Sequence, residues 1–279
     1  MNGTNAVLYS MPVPNDDILT PKPPDPDLRL AYGNDPNQFV DLRFPANSKS
    51  PLPGVFFIHG GYWRAKYDLT YAGHLCHALK QAGIATCNVE YRRVGNHGGG
   101  WPGTFEDIRA ALRFLLSGQN KLPRFDRHRL CIAGHSAGGQ LALCLAAHEP
   151  SITRVLSLAG VLDLRRGWQL HLSNDAVAGF LGGSPTEVPD HYREASPAEQ
   201  HITAKQVLIH GTADEDVPYE LSQNYAEQKK KSGENVELIT MKGVGHFEIV
   251  DPNSSVWSKV QQQFLAFDTL KPYASFPHP

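Results

Sequence analysis

Neither sign of charge dominates this chain. Its 26 Lys and Arg stand against 28 Asp and Glu, a formal net charge of −2. Nucleic acids and anionic membranes are held by an excess of positive charge, so neither is expected as a partner. The longest basic run, Lys229-Lys230-Lys231, falls in a polar helical stretch and reads as a solvated face. Long hydrophobic runs are missing too: none approaches the roughly 18–20 residues of a membrane span. The start of the chain lacks both a positive segment and a continuous apolar stretch, so no signal peptide is expected. Cysteine is scarce. Cys76, Cys87, Cys131 and Cys144 each sit among apolar neighbours, as small buried hydrophobes of a reducing, cytoplasmic compartment would. No G-x-G-x-x-G follows a strand pattern, which argues against a dinucleotide. His74 and His77 share one predicted helix but have no second ligand pair, so no metal is expected. Nothing else in the chain calls for a cofactor.

What is present is an alternation of strand and helix patterns. At 279 residues, 41% of them hydrophobic, the chain has the material for one large domain with a sizeable core. Ten of its 21 prolines fall before residue 54, and proline excludes regular helix and central strand. Residues 1–35 therefore read as a proline-rich extended arm, ahead of a single domain over 36–279. The stretch 39–44 alternates apolar and polar, as an antiparallel strand with one wet face would. Beyond it, apolar strands are expected at 55–58, 84–89, 130–133, 155–158, 207–209 and 236–240. Between them lie helical patterns at 71–82, 105–116 with Thr104 as N-cap, after Ser136, at 220–231 and at 256–267. The expected fold class is α/β: a mostly parallel central sheet flanked by helices. Residues 163–204 break the alternation and are long for a connection. They read as a small cap insertion carrying Trp168, Phe180 and Leu181.

Gly134-His135-Ser136-Ala137-Gly138 lies between a predicted strand and a predicted helix. G-x-S-x-G in that context is a nucleophile elbow, a turn so tight that its flanking positions must be small. The helix that follows aims its positive end where an oxyanion would form. A serine hydroxyl needs a base, and the base needs an acid to hold its tautomer. On a parallel sheet these belong after later strands, in the order Ser, acid, His. His210-Gly211-Thr212-Ala213-Asp214-Glu215-Asp216-Val217-Pro218 follows the strand at 207–209, and Gly243-Val244-Gly245-His246-Phe247 follows the one at 236–240. Ser136, Asp214 and His246 are thus the expected nucleophile, acid and base. Asp216, Glu215 and, more distantly, Asp163 compete for the acid. His59-Gly60-Gly61-Tyr62-Trp63 follows the strand at 55–58. Its backbone N–H groups, with that of Ala137, are the expected oxyanion donors.

With these segments placed, residues 28–270 resemble the α/β-hydrolase fold. His59-Gly60-Gly61-Tyr62-Trp63, with Tyr32-Gly33, Gln38 and Asp41-Leu42 before it, is similar to the branch of serine esterases with a His-Gly-Gly loop that contains kynurenine formamidase and feruloyl-esterase-like (BD-FAE) proteins. The resemblance implies Ser136, Asp214 and His246 as the triad and Gly60, Gly61, Tyr62 and Ala137 as the oxyanion hole. Tyr62, Trp63, His135, Trp168, Phe180, Leu181 and Phe247 are the expected substrate-binding residues. The implied reaction is hydrolysis of a small carboxylic ester through an acyl-enzyme, with an aryl formamide such as N-formylkynurenine as the alternative. A ligand-binding homologue without catalysis is a further reading, against which the presence of His246 speaks. Gly95-Asn96-His97-Gly98-Gly99-Gly100-Trp101-Pro102-Gly103 departs from the pattern of related lipases and reads as a flexible rim. Monomer and homodimer are both open.

Overall fold

Alternation along a strand sends successive side chains to opposite faces, and here both faces are covered. The computed structural model describes residues 22–46, 51–117 and 125–266. Eight strands form one sheet: β1 Leu28–Ala31, β2 Phe39–Arg43, β3 Leu52–Ile58, β4 Ala85–Val89, β5 Phe125–His135, β6 Arg154–Leu158, β7 Lys205–Gly211 and β8 Val236–Met241. Their order across the sheet is β1-β2-β4-β3-β5-β6-β7-β8. β1, β2 and β4 pair antiparallel, and β4, β3, β5, β6, β7 and β8 run parallel. The helices are α1 Gly73–Gln81, α2 Gly103–Leu116, α3 Ala137–His148, α4 Leu164–Gln169, α5 Leu172–Leu181, α6 Pro189–Ala195, α7 Glu220–Lys231 and α8 Trp257–Leu265. None is long and apolar enough to cross a membrane.

β3 divides its side chains between two cores. Phe56 and Ile58 belong to the core that holds buried residues of α2, α3 and α7, while Val55 and Phe57 belong to the one that holds Leu75 and Leu79 of α1 and Val260 and Phe264 of α8. Each of these side chains is essentially excluded from water, a burial worth about 1.5–3 kcal/mol apiece. A parallel sheet sandwiched in this way points the carboxyl ends of β3, β5, β7 and β8 to one edge, and the site assembles there.

Three expectations change. The strand at β1 falls inside the stretch assigned to the arm, because residues 28–31 hold no proline and pair as an edge strand with β2; residues 1–21 of that arm lie outside the described residues. β2 has no wet face: Asp41 and Arg43 are both buried. Asp41 is held by Arg29 at 2.6 and 2.8 Å, and Arg43 donates to the carbonyl of Pro24 at 2.9 Å. Thr104 lies within α2 rather than capping it. Its hydroxyl donates to the carbonyl of Arg92 and accepts from the N–H of Gly100, tying the helix to the glycine-rich loop.

Candidate active site

Ser136 joins β5 to α3 with φ 57° and ψ −124°, a strained conformation for a residue with a side chain. Its N–H donates to the carbonyl of Leu158 at 2.8 Å, and its own carbonyl accepts from Gly139 at 2.9 Å. The turn closes only because Gly138 is bare: a Cβ there would lie 2.0 Å from the carbonyl oxygen of Ile58. α3 begins at Ala137, whose N–H, next to the serine, carries no hydrogen bond among the described residues.

Asp214 and His246 meet beside it. Their loops leave β7 and β8, and Asp214 Oδ2 lies 2.7 Å from His246 Nδ1 with the two side chains nearly excluded from water. Asp214 Oδ1 accepts from the N–H groups of Asp216 and Val217 at 3.0 and 2.7 Å. Oδ2 also lies 3.1 Å from Nε2 of His210, a second buried imidazole. Burial works against the Asp214 charge, but the two imidazoles outweigh it and hold the carboxyl below its ordinary value. For His246 burial again opposes charge, and Asp214, aided by Asp216, raises the imidazole above its ordinary value. With Nδ1 committed to Asp214, Nε2 has no hydrogen-bond partner among the described residues. Ser136 Oγ makes no hydrogen bond to it here. The two residues are neighbours through His135, whose ring lies 4.5 Å from that of His246 and whose Nε2 is 3.1 Å from the His246 carbonyl oxygen. Such contacts commonly tighten only with substrate bound.

The loop after β3 completes the site. Gly61, Tyr62 and Trp63 have φ of 103°, 51° and 56°, three successive residues at positive φ that turn the chain sharply just after β3. Gly60 packs directly on the elbow: a Cβ there would lie 2.8 Å from Ser136 Cβ. Its N–H is spent on Tyr71 Oη at 2.6 Å, so Gly60 is not free to act as one of the expected oxyanion donors. The N–H groups of Gly61, Tyr62 and Ala137 carry no hydrogen bond among the described residues. Tyr62 donates its hydroxyl to the carbonyl of Asp216 at 2.5 Å, which ties this loop to the Asp214 loop. His59 is buried beneath, with Nδ1 2.8 Å from the Gly60 carbonyl and Nε2 3.1 Å from Glu90.

Several expected substrate contacts are seams instead. Trp63 is fully buried, donates Nε1–H to Gln140 at 3.0 Å, and stacks on Phe180 at 4.5 Å and 8°. Phe180 and Leu181 are equally buried. These three side chains bond the cap to the body and have no surface left for a ligand. His135 is buried with both ring nitrogens engaged inside the protein. Trp168 on α4 is half-buried against the core, and Phe247 is half-buried, edge-on to His246 at 5.1 Å. The glycine-rich stretch 95–103 is not a free rim: Trp101 donates to the Phe180 carbonyl at 2.8 Å, and a Cβ on Gly99 would lie 1.9 Å from the Arg93 oxygen. Arg64 reaches across to Ser173 and to the carbonyl of Asn174, at 3.0 Å for the latter.

Among the described residues, the one grouping of possible metal ligands is Asp214, Asp216 and His246, with ligand atoms within 4.8 Å of one another. Two of its members are already bonded to each other. His210 and Tyr71 were not singled out by sequence. His210 opens the turn that carries Asp214, a position from which its ring reaches the carboxylate, whereas Tyr71 has no local signal at all.

A family model described as BD-FAE matches residues 40–228. Isoprenylcysteine alpha-carbonyl methylesterase of Arabidopsis thaliana is 23% identical over 246 residues, covering 79% of this chain and 56% of that protein. Kynurenine formamidase of Drosophila melanogaster is 23% identical over 232 residues, covering 80% and 75%. The chain spans about half the length of the methylesterases it matches. Among solved structures, a truncated carbohydrate esterase from gut microbiota superposes with a TM-score of 0.75 at 21% identity, covering 89% of this chain and 100% of that one. Esterase B from Lactobacillus rhamnosis gives 0.73 at 21% identity, covering 88% and 87%. The fold is that of the α/β-hydrolases.

Proposed function

Because the chain belongs to the BD-FAE family, we propose that it is a serine hydrolase that cleaves small carboxylic esters through an acyl-enzyme. The observation that carries this reading is the buried Asp214–His246 bond of 2.7 Å beside a serine held at positive φ. His246 Nε2 takes the proton of Ser136 Oγ as the oxygen bonds to the substrate carbonyl carbon. Negative charge gathers on the carbonyl oxygen, where the N–H groups of Gly61, Tyr62 and Ala137 receive it. Removing one such donor costs about 3–4 kcal/mol of transition-state stabilisation in comparable sites. As the tetrahedral centre collapses, the bond to the leaving group breaks and the imidazolium gives that group its proton. Water, deprotonated by His246, then attacks the acyl-serine and releases the acid. Asp214 keeps the His246 proton on Nδ1 throughout.

An aryl formamide is the second reading, favoured by the Drosophila formamidase, which the alignment covers over 75% of its length. One panel separates the two: p-nitrophenyl esters of increasing acyl length beside N-formylkynurenine, on wild type and Ser136→Ala. Ser136→Ala is expected to fold and to lose about 10⁴-fold or more in kcat. Wild-type turnover by that variant overturns the serine mechanism. Preference for N-formylkynurenine over every ester replaces the first substrate with the second.

A further inference from the structure

The reaction proposed above needs two loops kept at a fixed separation: the one after β3, which offers N–H donors, and the one after β8, which carries His246. A buried string of polar groups runs between them. The N–H of Gly60 lies 2.6 Å from Tyr71 Oη, Tyr71 Oη lies 3.0 Å from His135 Nδ1, and His135 Nε2 lies 3.1 Å from the carbonyl oxygen of His246. The chemistry of the two ends fixes every proton in it. A backbone N–H only donates, so Tyr71 Oη accepts from Gly60. A backbone carbonyl only accepts, so His135 carries its proton on Nε2. Nδ1 is then an acceptor, and the Tyr71 hydroxyl gives it a proton. Any other arrangement leaves a buried donor or acceptor unmet, at the full desolvation penalty.

We propose that Tyr71 and His135 are positioning residues, a one-way hydrogen-bond relay that sets the spacing of the oxyanion loop from the His246 loop. The inference rests on the reading of Ser136 as nucleophile and His246 as base. His135 is covalently next to Ser136, so the relay references both loops to the nucleophile itself. Phe247 shields it, lying edge-on to Tyr71 at 6.3 Å and against His135 at 5.7 Å. Burial, reinforced by the nearby His246, holds His135 well below its ordinary value and so neutral, as the relay requires. There is no slack at the Gly60 end, where an added Cβ would lie 3.0 Å from Tyr71 Oη and 2.7 Å from the His135 carbonyl.

The test compares wild type, Tyr71→Phe, His135→Leu, His135→Gln and the double variant Tyr71→Phe/His135→Leu on p-nitrophenyl acetate. In parallel, a fluorophosphonate is used to label Ser136, with the rate and site read by mass spectrometry. Misplacement of catalytic groups on this scale lowers kcat by about 10- to 100-fold. Tyr71→Phe and His135→Leu are expected to lose that much in kcat, with KM nearly unchanged and with slower labelling. The double variant should lose no more than the worse single one, because both cut one string. His135→Gln, which retains a donor for the His246 carbonyl, should recover most of the loss. If His135→Leu does not fold, Tyr71→Phe and His135→Gln still decide the matter. Wild-type kcat in Tyr71→Phe overturns the relay, as do losses that multiply in the double variant. Labelling of wild type anywhere but Ser136 overturns the nucleophile assignment instead.

Discussion

Asp214 answers to two imidazoles, and a second carboxylate stands close by. Its Oδ2 faces His246 at 2.7 Å and His210 at 3.1 Å, while a ligand atom of Asp216 lies within 4.8 Å of those of Asp214 and His246. The spacing Asp-x-x-Val-Pro singles out Asp214 because it opens the turn, where backbone N–H groups close on its Oδ1. Glu215 is exposed, and Asp163 caps α4 by accepting from Arg166 at 2.9 Å. Sequence offers no such ground for the part left to Asp216. Its backbone carbonyl holds Tyr62, and its charge helps raise His246. Taking that charge away makes the imidazolium easier to deprotonate. In Asp216→Asn the acid limb of the kcat/KM profile is therefore expected to move to lower pH, with Ser136 still labelled. An unmoved limb, or one displaced to higher pH, contradicts the assignment.

The elements were legible where burial is repetitive. Continuous apolar runs between helical patterns announced β3 to β8, and the helix expected at 220–231 matches α7 residue for residue. Several of the differences share a cause: they concern side chains whose partner is remote in sequence. Asp41 and Arg43 look wet until Arg29 and Pro24 arrive. Trp63, Phe180 and Leu181 look like pocket walls because aromatic composition says nothing about which ring stacks on which. Phe180 in particular joins three segments, stacked on Trp63, edge-on to Trp101 at 6.2 Å, with its carbonyl held by the Trp101 N–H. Phe180→Ala should therefore cost about 3–5 kcal/mol in urea unfolding. A loss below about 1 kcal/mol, the range of surface substitutions, would show that the cap is not keyed to the body by this ring.

At the scale of the molecule, the site is a consequence of strand order. β3, β5, β6, β7 and β8 are successive neighbours in the sheet. The loop of N–H donors, Ser136, Asp214 and His246 follow four of those five strands at their carboxyl ends, so sequence order and spatial order agree. That agreement is why the triad candidates were legible from motif spacing while their supports were not. The same packing that brings Asp214 to His246 links folding to protons. A carboxyl held below its ordinary value stabilises the fold above the unfolded value, near pH 4, and that contribution is lost as pH falls through the folded value. An imidazole held above its ordinary value contributes fully below about pH 6.5 and ceases to as pH rises through the folded value. Together the pair stabilises most between about pH 4 and 6.5. The mechanism proposed for the site, however, needs His246 without its second proton. Stability from this pair and turnover should thus run in opposite directions as pH climbs through the His246 transition. Urea unfolding of wild type and Asp214→Asn across pH 4–9 measures the first, and kcat/KM of wild type the second. The stability advantage of wild type is expected to shrink over the interval in which its activity rises. An advantage that holds constant or grows there would mean that the imidazole is not charged against Asp214 in the folded protein.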